Sequence, residues 1–198
     1  YLDIFYLSGG TALSSWYLNH RESYDLDFFC DTPLDYDRIM RWFHHNEQVI
    51  EYESIRFDQD YGFLLCFLRF KNNDVLKIDF HNYGVKSLQK GHRWHGLLID
   101  SFYDITINKL RTIATAPRTR DYVDAYYIYQ KTPFSLMNLL PDVHTKFHEN
   151  IDALQLAKNF MKVAECVDMP IMRIPFERNN MIAFYTQLAS KLRKEIFD

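Results

Sequence analysis

The sequence predicts a mixed α/β (α+β) fold: a mixed sheet core with early helices, followed by a helical C-terminal half. Three observations carry this. Short apolar runs, each stopped by a Gly, Pro or Asn cluster, fill roughly the first hundred residues. From Ser101 onward the apolar spacing changes to the helical period. Pro117, Pro133, Pro141, Pro170 and Pro175 then punctuate that second half. A chain of 198 residues with 47% hydrophobic content can bury one large core or two small ones. The expected division is 1–100 for the sheet core and 101–198 for the helical part. Nothing near residue 100 is rich in Gly or Ser, so the boundary reads as a seam and not as a flexible linker.

Taken in order, Ile4-Phe5-Tyr6-Leu7 is a short buried strand stopped by Ser8-Gly9-Gly10, and Thr11 to Leu18 follows as a helix. Asp25 to Phe29 is a second strand, ended before Pro33. Asp35 is placed to cap a helix reaching about His45, with Ile39, Met40 and Phe43 on one face. Strands are expected over Val49–Phe57, Tyr61–Phe70 and Val75–Phe80, with Asn72-Asn73-Asp74 supplying hairpin chemistry between the last two. A polar, irregular stretch runs from His81 to Gly96. Helices are expected at about 101–115, 118–131, 135–147, 151–167 and 176–196. There is no internal repeat and no low-complexity segment.

Composition excludes several classes. A net charge of -3 argues against a sequence-independent grip on nucleic acid, although a local basic patch remains compatible with RNA. Three scattered cysteines, Cys30, Cys66 and Cys166, with no Cys-x-x-Cys pair, fit a reducing cytoplasm without a disulfide framework. No apolar run approaches a membrane span, and no signal peptide is visible. The chain opens at Tyr1, directly before a strand-like run, which leads us to expect a preceding segment. The 14 Tyr and 16 Phe suit a packed core.

Chemistry concentrates in a few places. Asp25 and Asp27 are two positions apart in an apolar strand, so both carboxylates project from one face. At about 4 Å their repulsion is roughly 4 kcal/mol at an effective dielectric of about 20. A Mg²⁺ ion between them removes that repulsion and binds phosphate oxygens; a solvent-facing strand end is the competing explanation. Ahead of them, Ser8-Gly9-Gly10-Thr11 forms a turn opening a helix, where backbone N–H groups can receive a triphosphate, with Ser8 or Thr11 adding a hydroxyl. The same residues suit a plain tight turn. Asp79 ends the run Val75–Phe80, a natural sheet neighbour for the Asp25 strand. It is suited to act as general base or to complete a metal site. Arg21 is placed to reach a phosphate or to brace Asp25 or Asp27, and Ser23 to orient a carboxylate or phosphate.

In the helical half, Phe102, Ile105, Lys109 and Ile113 share a stripe, so the Lys109 charge needs a partner: phosphate, or a carboxylate such as Asp121 or Asp124. Arg118, Asp121 and Asp124 share a face of the next helix. Lys86, Lys90, His92, Arg93, Trp94 and His95 interleave positive charge with an indole. That pattern suits RNA or nucleotide binding, or a solvated loop.

Assembled, Leu7-Ser8-Gly9-Gly10-Thr11-Ala12-Leu13, His20-Arg21-Glu22-Ser23-Tyr24-Asp25-Leu26-Asp27-Phe28-Phe29 and Lys77-Ile78-Asp79-Phe80 resemble the nucleotidyltransferase-like toxins of the AbiEii/AbiGii family. So do Asp104-Ile105, Lys109-Leu110 and Arg118-Thr119-Arg120-Asp121-Tyr122-Val123-Asp124, and order and spacing agree from residue 7 to about 129. The resemblance implies a polymerase-β-like nucleotidyltransferase fold, with 101–198 as a helical subdomain completing the active-site cleft. It implies the toxin of a bacterial toxin–antitoxin or phage-defence pair, with a cognate antitoxin protein as partner. It implies a nucleoside triphosphate as substrate, Mg²⁺ (or Mn²⁺) as cofactor, and tRNA or another RNA as acceptor. Carried over by position, Gly9, Gly10 and Thr11 would hold phosphates, and Asp25 and Asp27 the metal. Lys109 and Asp121 would be a further active-site pair, while Asp79 matches an acidic position of less defined role. Tyr24 departs from the pattern, since many members carry Asp there. The expected reaction is in-line attack of an acceptor hydroxyl on the α-phosphorus. Asp25, Asp27 and Asp79 bind metal, and Ser8, Gly9, Gly10, Thr11, Arg21, Ser23 and Lys109 contact the triphosphate. Asp79, Lys109 and Asp121 serve catalysis. The rivals are transfer to a small molecule or a protein, and a non-catalytic module that binds nucleotide or antitoxin.

Overall fold

Strand β1 (Tyr6–Ser8) leads straight into α1 (Gly9–Ala12), because Gly9 takes a positive φ of 71° that turns the chain at the strand end. In this computed structural model the backbone of residues 2–197 and the side chains of residues 3–194 are described. Helix α1 widens into a π-helical turn over Leu13–Leu18. Strand β2 (Leu26–Cys30) follows, then α2 (Tyr36–His45), whose first turn is closed by the Asp35 carboxylate accepting the Arg38 amide at 2.9 Å.

The expected strand over Val49–Phe57 is corrected: residues Glu47–Ile50 form a short helix, α3, closed by Glu51 in the left-handed region (φ 62°). Strand β3 therefore begins later, at Ser54–Asp60, and pairs with β4 (Phe63–Arg69). Strand β5 (Val75–Asn82) returns from β4 through the Asn72–Asp74 turn, where Asn73 has φ 66°. The stretch read as irregular holds two short strands, β6 (His92–Trp94) and β7 (Leu97–Ile99), joined at His95-Gly96 with both residues at positive φ. The helices that follow are α4 (Phe102–Thr115), α5 (Thr119–Lys131), α6 (Leu136–Phe147), α7 (Ala153–Met161) and α8 (Arg178–Phe197). The fourth of these stops short of residue 167, passing into a 3₁₀ turn at Lys162–Glu165. Pro141 lies inside α6 and does not end it. No described helix is long and apolar enough to cross a membrane.

The chain falls into two units, each discontinuous in sequence: residues 1–12, 23–86 and 91–100, and residues 13–22, 87–90 and 101–198. The first unit is a seven-stranded mixed sheet in the order β3-β4-β5-β2-β1-β7-β6. Strands β2 and β5 run parallel, as do β1 and β7; the remaining neighbours are antiparallel. The pleat sends Phe28, Leu64, Cys66, Leu68, Ile78 and Phe80 to one face, where they pack with Ile39 and Phe43 of α2. The other face is left to the intervening residues, and these carry the charges described below. The second unit packs α4 to α8 around a core that includes Ile107, Leu110, Val123, Leu156, Phe160 and Tyr185.

Candidate active site

On the sheet face away from that core, the register of β2 and β5 sets Asp27 opposite Asp79. Both therefore point to the same side, and Ser8 of β1 is the partner of Asp27 on its other flank. Counting in twos along β5 adds Lys77 and His81 to that face. One oxygen each from Asp27 and Asp79 and one ring nitrogen of His81 lie within 4.8 Å of one another.

Asp79 is 6% exposed, and its two oxygens differ. Oδ2 accepts from the Lys77 ammonium at 2.5 Å, with His81 Nε2 at 4.0 Å. Oδ1 is buried and has no hydrogen-bond partner. An unsatisfied buried polar atom costs about 1–3 kcal/mol, more for a charged group, so a carboxylate oxygen in this state calls for a cation. Gly9 closes the site on the β1 side: a Cβ there would stand 2.3 Å from Asp27 Oδ2. Only glycine tolerates both that approach and the positive φ. Two carboxylates, an imidazole and an orphaned buried oxygen fit a divalent cation. Burial pushes the His81 imidazole below its ordinary pKa, against the opposing pull of Asp79 and Asp27, so its ring is neutral near pH 7. The ring stacks on Phe29 at 5.2 Å and 19°.

Asp25 precedes β2 by one residue and is not a member of this three-residue group. Its carbonyl receives the Thr11 hydroxyl, which also lies 2.9 Å from Ser23 Oγ. Thr11 and Ser23 thus tie α1 to the entry of β2. The Ser8 hydroxyl donates to Asp100 Oδ2 at 2.7 Å. Residue His81 was not singled out from the sequence. The available signal was the period-two run Lys77-x-Asp79-x-His81, which places all three side chains on one face.

Arg21, Lys109, Asp121 and Asp124 meet within the second unit. Asp124, fully buried, accepts on Oδ1 from His20 Nε2 (2.8 Å) and Arg21 Nε (2.6 Å). On Oδ2 it accepts from Arg21 Nη2 (2.9 Å) and Lys109 Nζ (2.6 Å). Asp121 accepts from Lys109 Nζ at 2.8 Å, and its other oxygen caps α5 through the Arg118 backbone N–H and side-chain Nε, each at 3.1 Å. Burial alone would raise both carboxyls, but Lys109 and the arginines hold them below the ordinary range, Asp124 far below it. Burial lowers the Lys109 pKa, and the two aspartates more than reverse this, leaving it raised. Arg21 reaches this cluster because residues 20–22 pair with 171–173, Glu22 N–H donating to Ile171 and Arg173 N–H to His20. Arg21 therefore braces Asp124, while Asp25 and Asp27 belong to the other unit.

A mixed sheet carrying paired acids beside a glycine turn fits a nucleotidyltransferase. The chain belongs to the nucleotidyl transferase AbiEii toxin family of type IV toxin–antitoxin systems, whose model matches residues 1–191. Crystal structures that share the fold include the following two. JHP933 from Helicobacter pylori superposes with a TM-score of 0.60 at 19% identity, covering 98% of this chain and 86% of that one. A candidate nucleotidyltransferase from H. pylori gives a TM-score of 0.60 at 20% identity, covering 98% and 89%. No curated protein matches the sequence. The chain is thus a nucleotidyltransferase of a toxin family, with an antitoxin partner and a nucleotide substrate implied by that membership.

Proposed function

We propose that the protein transfers a nucleoside monophosphate from an NTP to an acceptor hydroxyl of RNA, with tRNA as the first candidate, and does so with a divalent cation, Mg²⁺ or Mn²⁺. In this reading it is the cytoplasmic toxin of a toxin–antitoxin or phage-defence pair, held in check by its cognate antitoxin. One observation carries the chemistry: a buried carboxylate oxygen of Asp79 has no hydrogen-bond partner, and the register neighbour of that residue, Asp27, stands against a glycine that admits no side chain.

Asp27 and Asp79 hold the cation, with Asp25 two residues before Asp27. When bound, the cation withdraws charge from the triphosphate oxygens. The backbone N–H groups at Gly9 and Gly10 receive phosphate oxygens. Thr11 and Ser23 keep that turn against the start of β2. The bond formed joins the acceptor oxygen to the α-phosphorus; the bond broken releases pyrophosphate with its electron pair. The acceptor's proton leaves to water. Lys109 and Asp121, the family's further pair, are fixed by Asp124 and Arg118, so we assign them positioning roles within their own unit.

Incubation with α-labelled NTPs, a divalent cation and separate tRNA, protein and metabolite pools tests this. Label is expected in RNA with wild type and not with Asp27→Asn. Label confined to protein or metabolite would overturn the RNA acceptor, and equal transfer by the variant would overturn the role of Asp27.

A further inference from the structure

Resting on that metal reading, we infer that His81 is a third protein ligand of the cation, and that its nitrogen makes the site select Mn²⁺ over Mg²⁺. Three features point here. First, the imidazole already stands with the two carboxylates: the ligand atoms lie within 4.8 Å of one another. Donors around one ion at about 2.1 Å each are separated by roughly 3–4.2 Å, so the group closes on an ion with a small side-chain shift. Second, the ring is held in place. It stacks on Phe29 at 5.2 Å, with Phe63 tilted against it at 6.3 Å; both are its register partners on β2 and β4. An imidazole fixed from both flanks loses little freedom on binding. Third, the neighbouring Asp79 has divided its oxygens: Oδ2, which lies 4.0 Å from His81 Nε2, accepts from Lys77, while the buried Oδ1 has no hydrogen-bond partner, so the carboxylate retains an unused ligand atom.

The donor set then decides the metal. Mg²⁺ takes oxygen ligands, keeps several waters and dehydrates reluctantly. Nitrogen donors shift preference toward the first-row transition ions, of which Mn²⁺ also accepts carboxylates readily. A site with two carboxylates alone would not discriminate in this way.

The test titrates Mn²⁺ alone, and Mg²⁺ in competition, into the full chain, reading free Mn²⁺ by EPR and bound Mn²⁺ by pulsed EPR for coupling to ¹⁴N. Wild type, His81→Phe (which keeps a ring for the stack) and Asp27→Asn are compared. Wild type is expected to bind Mn²⁺ about tenfold more tightly than Mg²⁺ and to show ¹⁴N coupling. His81→Phe should lose the coupling and the Mn²⁺ advantage while holding Mg²⁺ within about threefold. Absence of ¹⁴N coupling in wild type overturns the inference, and so does equal weakening of both metals, or of neither, by His81→Phe. If His81→Phe does not fold by circular dichroism, the wild-type coupling decides alone. Loss of both metals in Asp27→Asn together with an inert His81→Phe leaves the metal site standing without His81. Unchanged binding in Asp27→Asn removes the site itself.

Discussion

Replacing Gly9 by alanine isolates what the glycine turn does for the acidic site, because Gly62 provides a matched control. Both residues have positive φ, 71° and 81°. At Gly62 a Cβ would meet nothing within 4 Å; at Gly9 it would stand 2.3 Å from Asp27 Oδ2. Gly62→Ala therefore bears only the left-handed backbone penalty, about 1–2 kcal/mol, read as a fall in urea unfolding free energy. Gly9→Ala bears the same penalty and must also drive the Asp27 carboxylate from 2.3 Å to at least the 3.4 Å of ordinary contact. A displacement of about 1 Å at a reacting centre costs on the order of 10²-fold in rate. The expected result is loss of nucleotidyl transfer and of divalent-ion binding by Gly9→Ala, with both intact in Gly62→Ala. If the two variants bind the ion and turn over alike, the reasoning that Gly9 exists to admit Asp27 is refuted.

Four further outcomes follow from the charged clusters. Asp124→Asn leaves Arg21 and Lys109 buried beside a neutral partner, and should cost about 3–5 kcal/mol of stability by urea denaturation; a loss below about 1 kcal/mol would contradict the cluster's structural role. Asp104, Asp121 and Asp124 all have lowered pKa values. Their contribution is therefore complete above the ordinary carboxylate range and is lost as pH falls through the folded-state values, which calorimetry from pH 6 downward should show as a falling Tm. Lys109, raised, contributes fully below its ordinary pKa and fails only as strong alkali removes its proton. Lys77→Met frees Asp79 Oδ2 from its ammonium partner and should tighten divalent-ion binding several-fold by the same EPR titration; weaker binding would show that Lys77 supports the site.

Local chemistry made much of this legible. The Ser8-Gly9-Gly10 stop, the alternation through Asp27 and the strand through Asp79 each depend on neighbours within a few residues, and all three appear within one or two residues of the expected bounds. What escaped depended on distant partners. His81 joins the acids only because β5 is eight residues long and parallel to β2, so the strand carries on three residues past Asp79, to Asn82. Strands β6 and β7, three residues each, are too short for a periodicity signal and form by pairing with each other and with β1. Helix α3 replaced the expected start of β3 because Glu51 adopts a left-handed conformation that no local cue in Val49–Phe57 announces. The Lys109 partners Asp121 and Asp124 were among those the helical spacing allowed. The bidentate hold of Arg21 on Asp124 spans 103 positions in sequence, and nothing in the run His20–Ser23 points to it.

The discontinuity of the two units bears on how the molecule can be dissected. A cleavage at residue 100 would leave Leu13–Glu22 on the N-terminal piece, although those residues belong with the helices. The C-terminal fragment would then carry Asp124 deprived of His20 and Arg21, with Lys109 as its remaining buried cation. Expressing either half by itself is thus expected to yield an insoluble or molten product, and a split-protein reporter built on this chain needs its breakpoint inside a surface turn such as Asn72–Asp74, not at the seam.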